Sequence, residues 1–288
     1  MKKYAVIDIG SNSVRLMFVA NGKVLYKRLN TTRLGEGLAQ TGRLNAEAIR
    51  RSAQAVADYV SLATQEGAQS TYAFATAAVR SAINGEEFVQ AVQALCGLRV
   101  EVIAGDTEAE IGLLGALGTG DGAVIDVGGA STELVVKKNG INVYKKSINV
   151  GVVRLKDACG LDLAALQTRC NTEVKQFFDA PALKTVYAIG GTATTLAALA
   201  LGLKEYDSQK ITGFALSQNA MQTLVEKLST KTVAEIATMP CMPKGRADVI
   251  TGGAVWLLTI MRALQIESLL VSDRDNLEGY AIKKGLEV

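Results

Sequence analysis

AVIDIGSNSVRLMFVANGKVLYKR, at residues 5–28, is repeated as AVIDVGGASTELVVKKNGINVYKK at residues 123–146. Aligned without a gap, 11 of the 24 positions are identical: Ala5, Val6, Ile7, Asp8, Gly10, Ser13, Leu16, Asn21, Gly22, Tyr26 and Lys27. Ordinary residue frequencies would give about one or two, so the segment is a duplicated structural unit. Each copy opens on an apolar run that reads as a buried strand, then passes through Asp into a loop of Gly, Ser, Asn or Ala. A second apolar run follows, then Asn-Gly, then a third strand. Asn-Gly between two such runs predicts a type I′ hairpin, which needs positive φ at both turn residues.

Outward from the repeat, helical periodicity covers Asn45–Glu66 and Leu163–Phe178. Strands are expected at Tyr72–Ala75 and Leu98–Ile103 in the first half, and at Thr185–Ile189 and Ser268–Val271 in the second. The glycine cluster GALGTGDG marks a boundary near Leu117–Gly122. The expected fold class is therefore α/β: two lobes with mixed sheets flanked by helices, and an active site in the cleft between them. The expected division is residues 1–119 for lobe I and 120–274 for lobe II.

Candidate chemistry centres on the two loops. Gly10, Ser11, Asn12 and Ser13 in the first, and Gly128, Gly129, Ala130 and Ser131 in the second, offer backbone N–H groups and hydroxyls suited to an anion nest. The alternative is a pair of glycine turns, which their equivalent positions in a repeat argue against. Asp8 and Asp126 each end a buried strand, where Mg²⁺ would neutralise phosphate charge. At one place the copies diverge: Arg15 in the first matches Glu133 in the second. Ser13 with Arg15, and Ser131 with Glu133, share a strand face. Facing loops would give a phosphate clamp and a water-holding carboxylate, or else a plain salt bridge between lobes.

Other segments are less specific. GDTEAEIGLLGALG, residues 105–118, reads as a helix with Glu108 in its first turn, where the helix dipole favours an acid. YAIGGTATTLAALA, residues 187–200, places Gly190, Gly191 and Thr192 at a helix start that suits an anion or tight strand-to-helix packing. Arg80 follows a strand on a helix, and Arg33 lies in a loop.

Composition removes several classes. The 288 residues include no histidine, so a Ser-His-Asp triad, a phosphohistidine and a His-ligated zinc are excluded. No GxxxxGK[ST] loop is present, and Cys241 with Arg246 is one residue short of a C-x5-R phosphatase loop. Four scattered cysteines without CxxC spacing read as reduced thiols. A net charge of +3 gives no argument for nucleic acid or membrane. The N-terminus lacks the long apolar stretch of a signal peptide, so a cytoplasmic location is expected.

With these residues in view, the chain resembles the exopolyphosphatase / guanosine pentaphosphate phosphohydrolase (Ppx/GppA) family of the actin-like, ribonuclease-H-like ATPase superfamily. The resemblance rests on DIGSNSVRL, RLGEGL, ATAAVRSAIN, GDTEAEIGLLG, DVGGASTEL, AIGGTATTLAAL, KGRADVI and VSDRDNLEG in order. It implies two ribonuclease-H-like lobes, a C-terminal helix at about 275–288 returning to the first, and Mg²⁺-dependent (or Mn²⁺-dependent) release of terminal phosphate. It also implies catalytic roles for Glu108 and Glu133, phosphate loops at Asp8–Ser13 and Asp126–Ser131, and supporting roles for Arg33 and Arg80. The chain looks like a short, two-domain member without the extra helical region of long members. Ala130 departs from the usual GGGST loop and removes one φ > 0 option. Leu277 stands where the closing motif often has Arg, and a histidine usual near Ile211–Phe214 is absent.

The resulting expectation is in-line hydrolysis of inorganic polyphosphate by water held on Glu108 or Glu133. Guanosine pentaphosphate is the alternative substrate, and a superfamily kinase or a non-catalytic polyphosphate or alarmone sensor are further readings. The expected partner is the phosphorylated substrate, with no nucleic acid or membrane; a homodimer is left open.

Overall fold

A computed structural model describes residues 2–288. The chain forms two compact units, Met1–Gly115 with Asn276–Val288, and Ala116–Asp275. The first contains β1 (Lys3–Ile9), β2 (Ser13–Ala20), β3 (Lys23–Thr31), α1 (Leu38–Thr41), α2 (Ala46–Gln65), β4 (Ser70–Ala75), α3 (Ala77–Ser81), α4 (Gly85–Cys96), β5 (Val100–Val102) and α5 (Gly105–Leu117), whose last residues lie past the unit boundary. The second contains β6 (Gly122–Val127), β7 (Thr132–Lys138), β8 (Ile141–Ile148), α6 (Val152–Cys159), α7 (Leu163–Glu173), β9 (Val186–Ile189), α8 (Gly190–Ala200), α9 (Ser208–Ile211), β10 (Ala215–Ser217), α10 (Gln218–Ser229), α11 (Val233–Ala237), α12 (Ile250–Ala263) and β11 (Ser268–Val271). The final helix, α13 (Asn276–Lys283), belongs to the first unit.

Both sheets are mixed, as the sequence led us to expect. The first runs β3-β2-β1-β4-β5, with β1–β3 antiparallel and β4 and β5 parallel to β1. The second runs β10-β11-β9-β6-β7-β8 and repeats that pattern, with an added antiparallel edge strand, β10. The hairpin turns take positive φ at both predicted residues: Asn21 and Gly22 at 51° and 71°, Asn139 and Gly140 at 52° and 75°.

Strand β1 is buried on both faces, which explains its unbroken apolar run. Ala5, Ile7 and Ile9 face a core with Val56, Phe88 and Val92 of α2 and α4. Tyr4 and Val6 face a second core with Ile111, Leu277 and Tyr280. Asp8, by the same alternation, lies on the Tyr4–Val6 side. Helix α13 is locked onto this side. Phe74 and Tyr280 stack with ring centroids 4.6 Å apart, and Lys27 pairs with the buried Glu278 at 2.7 Å. Gly279 rests on the backbone of α5, where a Cβ would overlap the Ile111 carbonyl.

Two elements end differently from expectation. The helix begun at Leu163 stops at Glu173 and tightens into a 3₁₀ turn over Val174–Phe177, because the buried Val174 and Phe177 take a spacing of three. Strand β5 spans three residues, at the sheet edge, where a short strand limits pairing with another chain. No helix among the described residues is long and apolar enough to cross a membrane.

Candidate active site

Each repeated loop is braced from outside through its carbonyls. In the first unit, the amides of Thr32 and Arg33 donate to the Asn12 carbonyl at 3.1 and 2.9 Å, and Gly35 donates to that of Ser11 at 2.8 Å. In the second, Val152 and Val153 at the start of α6 donate to the carbonyls of Gly128 and Gly129 at 3.0 and 2.8 Å. Arg154 Nε adds a bond to the Ala130 carbonyl at 2.9 Å. Within each loop, Gly10 donates to Ser13 and Gly128 to Ser131, both at 3.0 Å. A Cβ on Gly10 or Gly128 would stand 3.3 or 3.2 Å from that same serine carbonyl. With their carbonyls engaged, the loops leave the amides of Ser11 and Asn12, and of Gly129, Ala130 and Ser131, without an acceptor among the described residues. Runs of such amides form anion nests, and the hydroxyls of Ser11, Ser13 and Ser131 are buried beside them.

The glycines of these loops provide room, not left-handed backbone: none of Gly10, Gly128 and Gly129 has positive φ, and neither has Ala130. The φ > 0 option expected to be lost at Ala130 is therefore not one that this loop uses. Two of the bracing contacts carry their own requirement. A Cβ on Gly151 would stand 2.5 Å from the Gly129 carbonyl, and one on Gly35 would stand 2.9 Å from Ser11 Cβ. Neither brace was singled out from sequence. Arg33 belongs to the first of them; its amide bonds the loop and its φ is +52°.

The carboxylates occupy matched positions. Asp8 faces Arg15 across the β1–β2 ladder, and Asp126 faces Glu133 across β6–β7. Arg15 forms an ion pair with Asp8, with Nε 3.1 Å from Oδ2. The sequence reading had given Arg15 a phosphate or a partner in the other lobe. The ladder instead sets a carboxylate of its own hairpin directly opposite. Glu133 is 2% exposed and accepts from Ser147 Oγ of β8 at 2.6 Å.

Glu108 lies in the first turn of α5 and is 7% exposed. Arg80, on α3, reaches it with Nη1 3.0 Å from Oε2, and the same nitrogen donates to the Ile103 carbonyl at 2.8 Å. Burial pushes the Glu108 carboxyl up to about 7; the Arg80 charge pulls against this, and the negative charge of Asp8 adds to it. Glu108, Arg80 and Asp8 thus belong to one electrostatic cluster of the first unit.

The segment at Gly190 meets the second loop. Gly190 has φ +78°, and a Cβ there would stand 2.5 Å from Asp126 Oδ1. Thr192 Oγ1 donates to the Val127 carbonyl at 2.8 Å, tying α8 to the strand that carries Asp126. Gly191 leaves room for the guanidinium of Arg246, which is buried and donates to Thr195 Oγ1 at 3.1 Å. The motif is therefore tightly packed, against Asp126 at Gly190 and against Arg246 at Gly191. Arg246 carries no sign of this role in KGRADVI, since an arginine beside a glycine does not reveal a partner more than fifty residues away.

Mg²⁺ commonly binds through one or two carboxylates, with water and substrate phosphate completing its shell. No cluster of three or more Asp, Glu or Cys side chains able to cage a metal occurs among the described residues. One aspartate at each loop fits an ion carried in on phosphate. Asp8 is paired with Arg15, and Asp126 is packed against Gly190.

The family model described as Ppx/GppA phosphatase family matches residues 16–286. The chain is 33% identical to exopolyphosphatase 2 of Mycobacterium tuberculosis across 98% of each protein. It is 30% identical to a guanosine-5'-triphosphate,3'-diphosphate pyrophosphatase of Pseudoalteromonas translucida, over 98% of this chain and 58% of that protein. Among solved structures, the Aquifex aeolicus member of the Ppx/GppA family superposes with a TM-score of 0.80 at 29% identity, covering 99% and 97% of the two chains.

Proposed function

This chain belongs to the Ppx/GppA phosphatase family and is a phosphoanhydride hydrolase, and on that premise we propose that it releases the terminal phosphate of inorganic polyphosphate. The observation that carries this reading is the pairing, in each unit, of loop amides without an acceptor among the described residues with a buried glutamate. The amides of Ser11 and Asn12 and of Gly129, Ala130 and Ser131 bind phosphate oxygens. They are fixed before substrate arrives, so charge developing in the transition state meets donors that need not reorganise.

Phosphoryl transfer needs positioning and charge stabilisation more than a strong base. Glu108 acts as the base, since a carboxyl raised toward neutrality suits proton acceptance at working pH. Glu133, held by Ser147, orients the attacking water. Arg80 holds the Glu108 carboxylate and Arg33 borders the first loop. Mg²⁺, held by Asp8 or Asp126, would supply charge neutralisation for the phosphates.

Guanosine pentaphosphate is the second reading, favoured by the likeness to the Pseudoalteromonas enzyme. It presents the same terminal anhydride. The test is phosphate release from tripolyphosphate, long-chain polyphosphate, guanosine pentaphosphate and ATP, with and without Mg²⁺. Release from polyphosphate that is lost without Mg²⁺ supports the main reading. Release from guanosine pentaphosphate alone overturns it in favour of the second.

A further inference from the structure

We infer that Tyr206 is a stacking platform for the nucleoside end of a nucleoside polyphosphate, and so a residue that separates nucleotide from inorganic substrates. Tyr206 is 50% exposed although its hydroxyl is engaged by Asp273 Oδ1 and by the Thr194 hydroxyl. The tip is therefore fixed on a side chain that still meets solvent. Burial and the Asp273 charge push the hydroxyl pKa far up, so it remains a protonated donor at any working pH. A tethered ring loses little freedom on binding, which is what a stacking surface requires.

Its place in the second unit ties it to the phosphate loop. Thr194 Oγ1 donates to the Gly190 carbonyl at 3.1 Å, and Gly190 abuts the Asp126 carboxylate. Asp273 follows the end of β11, where the neighbouring Ser272 amide bonds the Ala188 carbonyl of β9 at 3.0 Å. Tyr206 thus stands at the carboxyl ends of parallel strands, the usual ligand edge of an open α/β sheet. Residues 203–210 line a recess of about 610 Å³ around it, with Lys204 and Lys210 at its wall. Aromatic faces accept any base, because every base has a π-face to stack on them.

This inference rests on the phosphohydrolase reading above, since it assumes that phosphates reach the loop at Gly128–Ser131. It is tested by calorimetric binding of guanosine pentaphosphate and tripolyphosphate to the intact wild-type, Tyr206→Leu and Tyr206→Phe proteins. Stacking predicts that Tyr206→Leu weakens guanosine pentaphosphate by about tenfold, within the range of one base on one aromatic ring, and leaves tripolyphosphate within about twofold. Tyr206→Phe should keep most of the affinity, because it keeps the ring. Equal weakening of both ligands, no weakening of either, or a wild type that does not favour the nucleotide would overturn the proposal. Failure of the phosphohydrolase reading would show separately, as absent phosphate release.

Discussion

The two hairpins of the repeat share a register yet differ in charge at one rung. Opposite Asp8 stands Arg15; opposite Asp126 stands Glu133. The first rung is an ion pair through Asp8 Oδ2. The second places two carboxylates on one sheet face, an arrangement that costs free energy unless something positive or a proton comes between them. A duplicated unit has thus kept its backbone and changed the charge of one rung, which holds the hairpin in the first copy and carries a carboxylate proposed to orient water in the second. In the first unit the carboxylate proposed as the base lies outside the repeat, as Glu108 on α5.

The sharpest way to break this contrast is to neutralise each rung. Glu133→Gln, and likewise Glu108→Gln, should lower kcat by about 100-fold or more, as loss of a positioned acid–base group does. Arg15→Gln should act mainly on stability, costing about 3 kcal/mol by removing the cation from a buried carboxylate, with kcat falling by much less. Phosphate-release kinetics and denaturant midpoints on the three variants check this. An Arg15 variant as inactive as the Glu133 variant would make the two rungs functionally alike.

The next test uses pH. Burial raises the Glu108 carboxyl to about 7, well above the ordinary carboxylate range. Across that window the folded chain keeps a proton that the unfolded chain releases, so stability is greatest below it and is lost as pH rises through about 7. Activity should run the other way, with kcat/KM falling about tenfold for each unit below the Glu108 pKa as the base form disappears. The Glu108→Gln variant should lose both slopes. A wild-type profile flat between pH 5 and 8 would remove Glu108 as the base.

Much of this was legible because it is local. Eleven identities gave the hairpins, Asn-Gly gave their turns, and Asp at a strand end gave the loop positions. The face shared by Ser13 and Arg15 was legible too. The partner of Arg15 was not inferred, because register across a ladder depends on how many residues the loop consumes. Gly151 and Arg246 were illegible for another reason: each matters through backbone or side chains distant in sequence, and a lone Gly or Arg carries no sign of what approaches it. The burial of Glu108 was hidden by a helix with no clear polar face, since Ile111, Leu113 and Gly115 are buried with it.

The two braces supply a smaller contrast. Gly151→Ala would drive a Cβ into loop backbone at 2.5 Å, whereas Gly35→Ala would meet the Ser11 side chain at 2.9 Å. Backbone in a loop held by three bonds cannot yield as a serine can. Gly151→Ala should therefore cost about 3 kcal/mol and Gly35→Ala about 1 kcal/mol, the two ends of the usual overpacking range. The apparent KM for polyphosphate should rise more in the first. Denaturation midpoints in the reverse order would mean that the first unit holds its loop more tightly.

The smallest effect is expected at Ala130, which aligns with Asn12 of the first loop. Glycine there would be advantageous only if the backbone needed positive φ or if a ligand had to approach where the methyl stands. The backbone does not take positive φ, and the residue is 3% exposed, with its carbonyl tied to Arg154. Its amide is available to an anion with or without the methyl. Ala130→Gly should then lower stability by about 0.5–1 kcal/mol, through the greater freedom of the unfolded chain. It should leave kcat and KM within about twofold, because the amide nest is unchanged. A gain in kcat on this substitution would mean that substrate phosphate passes over the methyl, placing it deeper in the loop than the amides of Gly129 and Ser131 alone would hold it.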